Sequence, residues 1–175
     1  MNQEENNVEY AELNDDIIVI RVQGRGTFNN SMALEKLDKL YQNENRDVRY
    51  IFDLEQCSYM DSTFMGVLAL LGNKQMRRGM GKVSVMNLNQ HTLKLLSTLG
   101  LNQILDCHQD TGGQDLPEDE FQAAQVPETD KYNQIVHILE AHRGLADLDP
   151  NNKLRFENVL TYLEKSLAKE EEKRT

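Results

Sequence analysis

Ser62 is the side chain in this sequence best placed for covalent chemistry. It lies in Tyr59-Met60-Asp61-Ser62-Thr63-Phe64-Met65-Gly66-Val67-Leu68, after the apolar run Tyr50-Ile51-Phe52-Asp53-Leu54 and ahead of a helical pattern. A hydroxyl set where a helix begins faces unpaired backbone N–H groups and the positive end of the helix dipole. A phosphate on Ser62 would be stabilised there. The plainer reading is that Asp61 or Ser62 caps the helix, as such residues commonly do before an apolar run. Asp53 and Asp61 bracket the loop. Paired carboxylates can perform general acid–base work, but the sequence signals no nucleophile–base pair or metal site beside them. Strand-end and cap contacts are the expectation for both.

Other motifs carry less. Gly24-Arg25-Gly26 lacks the third glycine of a dinucleotide loop, and no Gly-Lys-Ser/Thr occurs. Gly79-Met80-Gly81 reads as a helix stop before a strand. Cys57 and Cys107 are not in metal-ligand spacing. His137 and His142 are five positions apart, which does not place them on one helix face as an i, i+4 metal pair. No enzyme, cofactor or metal site is expected from these residues.

The elements that must position Ser62 follow from periodicity. Strands are predicted at 8–13, 17–23, 49–54 and 82–87, each rich in Val, Ile, Phe or Tyr. Asn14-Asp15-Asp16 reads as a hairpin turn. Asn30 or Ser31 is the expected cap of a helix carrying Leu34, Leu37, Leu40 and Tyr41 on one stripe. A second helix is predicted from about Thr63, apolar nearly all round in its first half and therefore buried. The strand–helix order implies right-handed crossovers onto one sheet. Residues 108–129 are acidic and poor in apolar side chains, and read as a linker. Two amphipathic helices follow, with Tyr132, Ile135, Val136 and Leu139 on one stripe. Phe156, Val159, Leu160, Leu163 and Leu167 form the other, after an Asp149-Pro150 start. They form an αα-hairpin that must bury its stripes by docking on the main domain or by forming a homodimer.

These segments resemble the STAS family, the anti-sigma-factor antagonists of bacterial partner-switching pathways. Asp61-Ser62-Thr63-Phe64-Met65-Gly66 fits the family's Asp-Ser-Ser/Thr-x-x-Gly. Ile17 to Gly24 looks like the early strand and its closing glycine, Gly81 to Asn87 like the next strand, and Leu93 to Leu101 like the helix before the last short strand. The resemblance covers roughly residues 8 to 110. It implies an α/β fold: a STAS-like mixed β-sheet flanked by α-helices, here with a C-terminal helical hairpin. The expected division is a STAS domain at 1–110, an acidic linker at 111–128 and the hairpin at 129–175.

The resemblance also implies a function. Ser62 would be the residue phosphorylated by a serine-kinase anti-sigma factor, which the unmodified protein binds, and a PP2C-type phosphatase would reset it. The implied contact surface is Asp61, Ser62, Thr63, Phe64 and Met65, with Arg25 and Thr27 from the neighbouring loop. Two positions depart from the family pattern. Many members have glycine two residues after the serine, where this chain has Phe64. Many also have an acidic residue and an aspartate after the early-strand glycine, where this chain has Arg25-Gly26-Thr27. The alternative is a STAS scaffold, or a subunit of a signalling or transport complex, that is not phosphorylated. The net charge of −10 argues against nucleic acid and anionic lipid as partners. No apolar run near 18 residues and no leader pattern occur, so the cytosol is the expected compartment.

Overall fold

The computed structural model describes residues 7–175. Of the expected sequence features, the polar residues 1–6 lie outside the described part. Strands β1 (Asn7–Asn14) and β2 (Ile17–Gly26) form the expected hairpin, with Asn14 Oδ1 accepting from Asp16 N in the turn. Helix α1 (Phe28–Asn43) then crosses to β3 (Arg49–Asp53), parallel to β2. Strand β4 (Cys57–Met60) pairs in parallel with the Gly24–Gly26 end of β2. Helix α2 (Ser62–Arg77) leads to β5 (Val83–Met86), and α3 (Gln90–Thr98) leads to β6 (Leu105–Cys107). A two-residue strand, β7 (Gln122–Ala123), pairs antiparallel with β1. The sheet runs β6-β5-β3-β2-β1-β7, with β4 attached to β2. The chain ends in α4 (Lys131–Ala146) and α5 (Pro150–Arg174).

Alternation along the strands sorts the sheet into two faces. Ile18, Ile20, Val22, Tyr50, Phe52, Val83 and Val85 join the main core with residues of the helices. Val19, Ile51 and Met86 form a smaller cluster on the opposite face. That second face is covered by the acidic segment, whose Leu116 and Phe121 pack on it. Phe121 also lies under the Arg21 guanidinium, 4.0 Å from its ring centre. The segment expected to be a linker thus lays its few apolar side chains on the sheet and adds an edge strand. Its predominantly polar composition hid these contacts.

The start of α1 differs from expectation. Thr27, not Asn30 or Ser31, occupies the cap position, and the Asn30 side chain accepts from the Thr27 N–H and hydroxyl. Asn30 and Ser31 lie buried inside the helix. Helix α2 starts one residue earlier than expected, at Ser62. The hairpin does not stand apart: Ala141, Leu145 and Phe156 belong to the same core cluster as the sheet. Asn152 seals this junction from inside, donating to the Leu99 and Leu145 carbonyls at 2.9 Å each. Of the expected α5 stripe, Phe156 and Leu163 are buried but Val159 is exposed. The side chains of α5 that reach the core are set by where α4 lies beneath it, which periodicity alone does not specify.

Candidate functional site

The loop after β4 brings two helix N-termini together. Asp61 caps α2 by accepting the Phe64 N–H at 2.8 Å through Oδ1. Its other oxygen, Oδ2, accepts the Phe28 N–H at the first turn of α1, at 2.9 Å. One carboxylate therefore satisfies orphan donors of both helices. Asp53 is used as a strand-end contact. It is 1% exposed and accepts from Arg21 Nε at 3.0 Å, Asn87 Nδ2 at 2.9 Å and Glu55 N at 3.2 Å. This buried carboxylate is fully paired by its structural partners.

Ser62 occupies the first position of α2 and is partly covered by α4. It is half-buried, and its Oγ lies 3.0 Å from Nε2 of His142 on α4. His142 Nδ1 donates to the Ile138 carbonyl at 2.8 Å. That leaves Nε2 to accept the Ser62 hydroxyl proton when the ring is neutral. The Phe156 ring packs edge-on against His142 at 5.3 Å between centres. The sequence signalled no nucleophile–base pair, yet the fold assembles this one across 80 residues. Nothing local to either residue marks it, because it exists only when the hairpin folds back on α2.

The remaining expected contact residues divide sharply. Thr63, Phe64 and Met65 are buried, with Phe64 at 0% exposure. Phe64 packs on the Gly26 backbone: a Cβ added at Gly26 would lie 2.8 Å from Phe64 Cδ1. Its ring fills the core instead of facing outward, so Phe64 is not available to the contact surface that the resemblance implied. Thr27 is half-buried. Arg25 is exposed, with its guanidinium 4.8 Å over the Tyr59 ring, which in turn stacks on His91.

A second histidine of α4 reaches α1. His137 Nε2 lies 2.7 Å from Ser31 Oγ, and its Nδ1 is bonded to Glu35. Ser31 donates to the Phe28 carbonyl at 2.6 Å, so the network closes when His137 carries a proton on both nitrogens. Ser31 is 0% exposed and its hydroxyl proton is already committed. Ser31, His137 and Glu35 therefore tie two helices together, despite an order of groups like that of a catalytic triad. The hydrogen bond from His137 holds the Glu35 carboxyl down to about 2, with Lys39 also bonded and burial opposing. A carboxyl depressed in the folded state stabilises above its unfolded value near 4.5, and that stabilisation fades as pH falls towards 2. Urea unfolding of the wild type and Glu35→Gln checks this. The wild type should hold a higher midpoint at pH 6, and the gap should close between about pH 4.5 and 2. A gap independent of pH would show that Glu35 acts through packing alone.

Among the described residues, no group of three His, Cys, Asp or Glu is placed to hold a metal ion, and no helix is long and apolar enough to cross a membrane. Burial raises the Cys57 thiol, and burial with Asp106 nearby raises Cys107 to about 11, so neither is poised as a nucleophile. A cavity of about 710 Å³ opens between α1 and α4, lined in part by Tyr10, Leu37, Leu40, Ala124, Val136 and His137. It does not include Ser62.

The family described as Mlab, STAS domain matches residues 11–106. One solved structure, titled "Structure of the Anti-Sigma Factor Antagonist SpoIIAA in its Unphosphorylated Form", is similar over 64% of this chain and 91% of its own. The identity is 18% and the TM-score 0.43. No curated protein matches the chain.

Proposed function

This chain belongs to the STAS-domain family, whose match spans more than half of it, and from that premise we propose that it is an anti-sigma factor antagonist switched at Ser62. The observation that carries the reading is the placement of Ser62 at the first position of a capped, buried helix that follows a strand paired to β2. The unmodified protein binds a serine-kinase anti-sigma factor in the cytoplasm. That kinase transfers the terminal phosphoryl group of a nucleoside triphosphate to Ser62 Oγ. The hydroxyl proton leaves to a base and the nucleoside diphosphate is released. A PP2C-type phosphatase hydrolyses the ester and resets the protein. The protein itself catalyses no step. Phosphate adds roughly −1.5 to −2 charge. The α2 dipole tolerates that charge, so the domain stays folded while the contact surface becomes more negative. Arg25, exposed and stacked on Tyr59 near the start of α2, fits an acidic patch on the partner.

A second reading is a STAS subunit of a larger complex that is never phosphorylated. The bond from Ser62 to His142 favours it, because the hydroxyl is already engaged within the chain.

Two measurements separate the readings. Mass spectrometry of protein from its native host should find phosphate on Ser62 within the tryptic peptide Tyr50–Lys74. A kinase recovered on Ser62→Ala should be lost on Ser62→Asp, with a difference in affinity of at least about tenfold, or 1.4 kcal/mol. Equal recovery on both variants, with Ser62 unmodified in growing and stressed cells, would leave the subunit reading.

A further inference from the structure

We propose that α4 is a built-in occupant of the Ser62 face of α2, so that docking of the hairpin and occupation of that face by a partner or a phosphoryl group exclude one another. The proposal rests on the reading of Ser62 as the modified and contacted residue. Ser62, Gly66 and Leu70 are spaced i, i+4, i+8 and share one stripe of α2. Each meets α4: Ser62 meets His142, Gly66 meets Ala141, and Leu70 meets Gly144.

The approach is closest at Gly66. A Cβ there would lie 2.3 Å from the Ala141 carbonyl oxygen and 2.6 Å from its carbon. Both are backbone atoms that cannot rotate aside, so only glycine lets the helices meet. On the opposing helix, Gly144 fits under Leu70, where a Cβ would lie 2.9 Å from Leu70 Cδ2. Small residues on both sides of a helix crossing make this a shaped socket for a helix.

Two consequences follow. A partner that takes this face must present a helix with Gly or Ala over Gly66 and a polar side chain towards Ser62, because that is the shape α4 fills. A phosphoryl group on Ser62 competes with His142, which stands 3.0 Å from Oγ and is itself 5% exposed. A phosphoryl group placed along the present hydrogen-bond direction would run into the ring, so it displaces the Ser62–His142 contact that docks α4. The connection permits this movement. The segment from Asp110 to Asp130 is mostly exposed and is held to the sheet by β7 and by Leu116, Phe121 and Ala124, all ahead of α4, so undocking of α4 need not break the strand pairing.

Hydrogen exchange read by mass spectrometry on the full chain tests this without any partner or kinase. Gly66→Ala adds one methyl and favours α2 by helix propensity while wedging α4 away. Amides of 131–146 should lose protection by at least about tenfold, while those of 49–53 and 83–86 keep theirs. Ser62→Glu should do the same through charge and bulk, and Ser62→Ala should not. A disulfide between Leu70→Cys and Gly144→Cys, where a Cβ added at position 144 points at the Leu70 side chain, should restore protection to Ser62→Glu when oxidised and release it on reduction. Unchanged protection of 131–146 in both Gly66→Ala and Ser62→Glu would overturn the proposal. So would loss of protection across the whole sheet, which would make the hairpin inseparable from the core. Absence of phosphate on Ser62 in cells would sink the phosphorylation reading but leave the exchange result standing, so the two failures are distinguishable.

Discussion

Phe64→Ala lowers stability by about 3–5 kcal/mol, the cost of removing a buried aromatic ring and leaving its cavity. Phe64 is 0% exposed and is among the largest fully buried side chains of the core. Its ring lies against the Gly26 backbone, in space that exists because position 26 has no side chain. The backbone of β2 is held there by β4 and cannot collapse onto the gap. In a chain of 175 residues this loss corresponds to a fall in Tm of about 6–20 °C. Urea unfolding at neutral pH measures it directly. A loss below about 1 kcal/mol would mean that the ring is not packed as described and would return Phe64 to the list of surface contacts.

Asp61→Ala is expected to cost about 2–4 kcal/mol, more than an ordinary cap. A lost helix cap alone costs about 1 kcal/mol. The second oxygen makes the difference. Without it the Phe28 N–H at the start of α1 is left unpaired in a part-buried site, at about 1–3 kcal/mol. Asp61→Asn should fall between, because its one remaining carbonyl can serve only one of the two helices. The same carboxylate sets the position of Ser62, one residue on, so Asp61→Ala should also loosen the Ser62–His142 bond. Denaturant titration of the three proteins checks the order. If Asp61→Ala and Asp61→Asn cost the same small amount, the bridge between the two helices carries no energy.

The site was legible only as far as local rules reach. A cap at Asp61 or Ser62, a helix beginning next to them and Asp53 at a strand end all follow from residue types within a few positions of one another, and the structure settles the cap on Asp61. The burial of α2 was readable because its first half is apolar on every side. The orientation of Phe64 was not, since its neighbour Gly26 lies 38 positions away and only the pairing of β2 with β4 brings them together. The two-residue strand β7 was hidden for a similar reason. Gln122 and Ala123 have no strand pattern of their own and pair only because β1 presents an open edge.

By itself the sequence determined an α/β chain with a β1–β2 hairpin, right-handed crossovers onto one sheet, a helix opening within one residue of Ser62 and an amphipathic helical pair at the end. Periodicity, turn residues and caps are short-range terms, and they act the same wherever the segment lies. The tertiary structure alone decided that Ser62 is closed by His142, that Gly66 admits the Ala141 backbone, and that His137 ties α4 to Glu35 and Ser31. Those contacts span 75 to 106 positions. They depend on how a hairpin with two stripes to bury is led back onto one helix of the domain, and no local pattern records that choice.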